Sequence, residues 1–161
     1  MAFMSEEELD NVRNECKTLV TKRASISGGA AIIPLPGVDV GSDVAILMEM
    51  IPAINRKFGL TPEQIAQLDE DTKRLVMLAI SNLGSQLVGK TITKELITVA
   101  LKKIGVRVAT KSLVKYVPLI GQAAAAGISF GAMKYLGNSH VDECHALCRD
   151  LLKKQQETAT D

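Results

Sequence analysis

The sequence predicts an all-α, single-domain bundle of about six to seven helices, and three observations carry that expectation. Of the 161 residues, 47% are hydrophobic, only 3% are aromatic and none is Trp. The core must then be built from Ala, Val, Ile and Leu, which suits closely packed helices better than a β-sandwich. Apolar residues recur at three- and four-residue spacing over long stretches. Capping residues and Pro–Gly breaks divide those stretches. The length suits one domain with a real core, residues 1–157, followed by a short disordered tail at 158–161.

The first helix is predicted to start at Ser5, whose hydroxyl caps it while Glu8 completes a capping box. Leu9, Val12, Cys16, Leu19 and Val20 then share one face. A small-residue segment, Ala24 to Ile33, leads into Pro34-Leu35-Pro36-Gly37, a strong break. Asp39 or Ser42 caps a second helix that reaches Phe58, is kinked at Pro52 and stops at Gly59. Thr61-Pro62-Glu63-Gln64 opens the next, which stays helical to about Val88 with a break near Leu68 to Asp71. Another runs from about Thr93 to Tyr116, weakened at Gly105, before a break at Pro118 to Gly121. A small-residue helix then extends to Leu136, where Gly137-Asn138 ends it and Ser139 caps a last helix, about His140 to Gln156.

Ile33-Pro34-Leu35-Pro36-Gly37 and Val117-Pro118-Leu119-Ile120-Gly121 share the form apolar-Pro-Leu-x-Gly. Each joins two apolar helices, and each following helix is expected to end at a glycine, Gly59 or Gly137. The echo predicts two related hairpins packed face to face; a coincidence of turn chemistry is the alternative. Ala123, Gly127 and Gly131 recur every four residues and leave a groove for a closely approaching helix.

A net charge of +1 gives no global attraction to nucleic acid. Three cysteines make no disulfide framework and read as reduced thiols. The acidic start, MAFMSEEELD, does not read as a signal peptide, so the expected location is cytoplasmic. The longest stretch free of charge, Tyr116 to Met133, holds Pro118, three glycines, Gln122 and Ser129. It reads as a buried helix rather than a membrane span.

Three constellations carry possible chemistry. Gly84-Ser85-Gln86-Leu87-Val88-Gly89-Lys90-Thr91 matches G-x-x-x-x-G-K-[ST], in which Gly84, Gly89, Lys90 and Thr91 would hold nucleotide phosphates and Mg²⁺. A P-loop must follow a buried strand in a parallel sheet. Here the surroundings read as helical, and the expectation is a helix end and a turn, with no cofactor. His140, Cys144, His145 and Cys148 invite a metal reading, but residues eight apart on one straight helix lie about 12 Å apart. The cysteines fall on the apolar face, where core packing is expected. Finally, Lys103, Arg107, Lys111 and Lys115 form a stripe at four-residue spacing. It reads as a solvated face or as an interaction surface for anionic lipid or an acidic protein. Single-stranded nucleic acid is disfavoured by the lack of aromatics there.

The small-residue stretch, the corner Ile33-Pro34-Leu35-Pro36-Gly37-Val38-Asp39 and the helix ending Phe58-Gly59-Leu60 resemble a bacterial helical family of unknown function, the YcjF-like, GTPase-associated group. The corner Val117-Pro118-Leu119-Ile120-Gly121, with Leu136-Gly137, resembles its C-terminal half. The resemblance spans about Arg23 to Cys148 and rests on structural positions. It implies an all-helical protein with a membrane-associated or GTPase-accessory role, the membrane contact being peripheral at the inner membrane. It supplies no catalytic residues. A looser analogy holds with the helical part of immunity-related GTPases. The expected function is a non-enzymatic interaction module, with a protein partner or, in a homo-oligomer, a second copy of the chain as the candidates for its contact. The alternatives are a membrane-inserting hairpin, toxin-like or channel-like, built on Tyr116 to Met133, and a small nucleotide-binding protein using Gly84 to Thr91.

Overall fold

A computed structural model describes residues 4–30, 38–109 and 122–158, which form an all-α bundle. The helices are α1 (Glu6–Ala30), α2 (Val38–Lys57), α3 (Pro62–Ala66), α4 (Glu70–Leu83), α5 (Lys94–Ala109) and α6 (Gln122–Thr158). The corners at Pro34, Pro36 and Gly37 and at Pro118 and Gly121 lie outside the described residues, as does the beginning of the Tyr116 to Met133 stretch.

Local chemistry sets most helix ends. Ser5 and Glu8 form the reciprocal box: the Glu8 N–H donates to Ser5 Oγ at 3.2 Å, and the Ser5 N–H donates to Glu8 Oε2 at 2.8 Å. Thr61 and Gln64 repeat it at α3, with Pro62 in the first turn. Asp69 caps α4 by accepting the Thr72 N–H at 2.9 Å. Gly59, at φ 73°, turns the chain after α2, and Gly84, left-handed at φ 65°, ends α4. That stop comes before Val88, earlier than the periodicity predicts. The α2 helix continues through Pro52.

Three long helices make the central layer. Asp10, Arg13 and Val20 of α1 meet His145, Asp142 and Gly137 of α6, so the two run antiparallel. Glu15 and Arg23 pair with Lys57 and Glu49 of α2, which also runs antiparallel to α1. Their facing stripes are Leu9, Cys16, Val20 and Ala24; Leu47, Met50, Ile51, Ile54 and Phe58; and Met133, Leu136, Val141, Cys144, Leu147 and Leu151, all buried. Ile65, Val76, Ala79 and Ile97 extend the core outward.

The first part of the small-residue segment is helical, because α1 runs to Ala30 and buries Ala24 against the core. A further boundary differs from the sequence expectation: Gly137-Asn138 does not end a helix, because α6 runs unbroken past it. A Cβ at 137 would lie 2.6 Å from Val20 Cγ1, 2.8 Å from Val20 Cγ2 and 3.0 Å from Met50 Cε. The glycine is there so that α1 and α2 can approach α6, not to stop it. Gly131, from the small-residue stripe, is exposed and faces open space.

Candidate functional site

The segment Gly84 to Thr91 follows helix α4, not a strand, and folds inward. Leu87 and Val88 are core residues. Ser85 Oγ accepts the N–H groups of Leu87 at 3.3 Å and Val88 at 3.1 Å, and donates to Glu143 Oε2 at 2.7 Å. Two of the amides that a phosphate cradle would present are therefore turned onto the loop's own serine. Gly89, at φ 70°, sits against Ile80 and Ile65, which a Cβ would meet at 2.6 and 3.3 Å. Lys90 and Thr91 are exposed, and Thr93 caps α5 by accepting the Leu96 N–H.

The four metal-like residues of α6 face separate surroundings. His140 and Cys144 are buried around Asn55 of α2, with His140 Nε2 2.9 Å and Cys144 Sγ 3.6 Å from its Oδ1. Asn55 Nδ2 donates to the Leu87 carbonyl at 3.1 Å, which fixes the amide orientation and makes Oδ1 the acceptor. The imidazole proton then sits on Nε2, and Nδ1 is a buried lone pair without a partner. Burial pushes the His140 pKa down to about 4, so the ring is neutral. His145 instead pairs with Asp10 at 2.8 Å, and Cys148 Sγ lies 3.8 Å from the Phe58 carbonyl. No group of three or more His, Cys, Asp or Glu side chains suited to a metal occurs among the described residues.

Cys144, His140 and Asn55 are also the residue types of a thiol hydrolase, but their geometry is different. Activation needs one ring nitrogen on the sulfur and the other on the orienting amide. Here Nε2 faces both, with Cys144 Sγ 3.7 Å away. Burial also raises the thiol pKa values: Cys16 to about 11, Cys148 to about 12, and Cys144 well above its ordinary value. The cluster ties α2, α6 and the 84–91 loop together. Asn55 was not singled out from the sequence, although it lies four residues after Ile51 and three before Phe58, on the apolar stripe of α2.

Of the basic stripe, Lys103 is exposed on α5, Arg107 belongs to α5 by its backbone, and Lys111 and Lys115 lie outside the described residues. No helix among the described residues is long and apolar enough to cross a membrane.

Two surface features have no counterpart in the sequence motifs. On α4, Leu75, Met77 and Leu78 are 42%, 53% and 57% exposed, while Val76 and Ala79 of the same helix are buried. Between the 84–87 loop, α5 and α6 lies an open cleft of about 240 Å³. It is lined by Leu96, Val99 and Lys103 from α5 and by Tyr135, Ser139 and Glu143 from α6.

No family model matches the chain, and no solved structure matches it. Two curated relatives are named interferon-inducible GTPase 5. The chain is 26% identical to the Bos taurus protein and 25% identical to the Rattus norvegicus protein, in each case over 131 residues. Those residues are 81% of this chain and 28% of either relative, so the chain spans just over a quarter of their length.

Proposed function

We propose that this chain is a non-enzymatic helical module that binds a protein partner within a GTPase-related system, as its resemblance to the YcjF-like group implies. The observation that carries the reading is the α4 surface. The middle of α4, Leu75 to Ile80, is six apolar residues in a row, so its apolar surface is wider than the buried Val76 and Ala79 face, and Leu75, Met77 and Leu78 are left facing solvent. Adjacent exposed apolar residues of this kind mark a protein contact. The GTPase setting is supported by the two distant relatives. A nucleotide-binding GTPase domain needs a parallel sheet behind its P-loop, and the described residues form helices without a strand. On this reading the stretch shared with those relatives is a helical module, and the partner is a GTPase domain that it accompanies.

Affinity capture with the full chain as bait, in lysate supplied with GDP or a non-hydrolysable GTP analogue, tests this. A GTPase should be recovered in at least one nucleotide state. Leu78→Glu, whose side chain is outside the core, should lose the capture while keeping the melting temperature. Equal recovery by wild type and Leu78→Glu, or no GTPase in either state, overturns the proposal.

A further inference from the structure

We infer that the cleft between the 84–87 loop, α5 and α6 is an anchor pocket for an arginine side chain of a protein partner, with Glu143 as its counter-charge. Three independent features meet there. The first is an unpaired carboxylate. Arg13 and Lys17 neutralise Asp142, Arg23 meets Glu49, Lys57 meets Glu15 and Lys154 meets Asp150. Glu143 is half-buried and has a single partner among the described residues, the Ser85 hydroxyl on Oε2. Its other oxygen has no hydrogen-bond partner among the described residues, and the residue lines the cleft. A partly desolvated carboxylate with one neutral partner gains most from a cation, and a guanidinium satisfies it with directed N–H groups.

The second feature is the pair of apolar walls. Val99 and Tyr135 are 47% and 54% exposed, and both line this cleft. An arginine needs an apolar channel for its methylenes and a ring face for its guanidinium plane. Leu96 and Val99 supply the channel, and Tyr135 supplies the ring. The third feature is size. About 240 Å³ lies below the range of about 300–1,000 Å³ typical of pockets for whole small molecules. It suits one large side chain of the kind that anchors an interface. Lys103 is exposed and also lines the cleft, so it favours an acidic residue next to the inserted arginine.

The inference rests on the reading of the chain as a protein-binding module, but its test does not need the GTPase. The probe is N-acetyl-arginine methylamide, titrated at low salt into the full ¹⁵N-labelled chain and followed by amide chemical shifts, with the citrulline analogue as the uncharged control. Arginine should shift the amides of the 84–87 loop, of Leu96 to Lys103 and of Tyr135 to Glu143, with at least tenfold tighter binding than citrulline. Glu143→Gln keeps an acceptor for Ser85 and removes the charge, so it should lose that preference; Leu78→Glu should keep it. A capped Asp-Arg-Asp peptide should bind more tightly than the single residue, and Lys103→Ala should remove the gain. Equal binding of arginine and citrulline, shifts elsewhere, or an unchanged preference in Glu143→Gln overturns the assignment. Binding in the cleft without GTPase capture would keep the pocket and discard the GTPase setting.

Discussion

Replacing Gly137 by Ala tests whether the glycine in the middle of α6 is a packing device. In an exposed helix interior the change would gain about 1 kcal/mol from helix propensity. At this position the new methyl would sit 2.6 and 2.8 Å from the two methyl carbons of Val20 and 3.0 Å from Met50 Cε. The methionine end can swing away. Val20 cannot, because a β-branched side chain in a helix has essentially one allowed rotamer and both of its methyls face the site. Relief must come from pushing α1 away from α6, and overpacking of that kind costs about 1–3 kcal/mol. With the stiff partner the upper end applies, leaving a net loss of about 2 kcal/mol after the propensity gain. At about 2–4 °C per kcal/mol for a chain of this size, the melting temperature should fall by about 4–8 °C. Gly131→Ala is the control, since its added methyl meets nothing within 4 Å; it should raise the midpoint by about 2–4 °C. Val20→Ala combined with Gly137→Ala should lose less than the sum of the single changes, by about 1 kcal/mol or more. Thermal melts by circular dichroism decide it. The reasoning fails if Gly137→Ala melts at or above wild type, or if the two changes simply add.

The buried imidazole makes stability depend on pH. Its folded-state pKa of about 4 lies below the ordinary 6.5, so the unfolded chain takes up the proton first. The contribution is complete above pH 6.5 and is lost as pH falls toward 4, about 3 kcal/mol in all. Urea titrations at stepped pH should show the loss, and His140→Gln should flatten it. Ser85→Ala leaves the Leu87 and Val88 amides without their acceptor and should cost about 1–3 kcal/mol in urea midpoints; a loss under about 0.5 kcal/mol would contradict the geometry. All three thiols should stay unreactive toward a disulfide reagent at pH 8 in the folded protein; a fast-reacting native thiol would refute the burial of Cys16 and Cys144 or the raised pKa that half-buried Cys148 shares with them.

The helical class and several boundaries were legible because their signals are local. Ser5 with Glu8, Thr61 with Gln64, and the stop at Gly59 lie within a few residues of the groups they satisfy, so reading them requires nothing about the rest of the fold. Gly137 shows where that logic stops. A glycine followed by asparagine reads as a helix end, and its actual role depends on Val20 and Met50, which are far away in sequence. A stop glycine and a close-approach glycine are the same letter. Gly84 to Thr91 is the converse case: a short pattern matched a phosphate loop, and only the buried Leu87 and Val88 and the serine-bound amides show how those residues are used. Asn55 could have been found as a polar residue in the middle of the α2 stripe, between Ile51 and Phe58. Its partners His140 and Cys144 could not, since they come from another helix.

The cleft was half visible. Tyr135, Ser139 and Glu143 fall at four-residue spacing on α6, and Leu96, Val99, Ala100 and Lys103 share one face of α5. Each stripe can be written down from the sequence, but their juxtaposition depends on the loop after α4. That loop is fixed from both sides. Glu143 receives the Ser85 hydroxyl, Ser85 accepts the Leu87 and Val88 amides, and the Leu87 carbonyl receives Asn55, which also holds His140. A continuous hydrogen-bonded path thus runs from the cleft carboxylate into the core. Glu143 is oriented before any ligand arrives, so a bound cation does not bear the cost of ordering its own counter-charge. This is why the inward-folded loop and the cleft belong together: the amides that a phosphate cradle would turn outward are bound by Ser85, the same side chain that holds the cleft carboxylate.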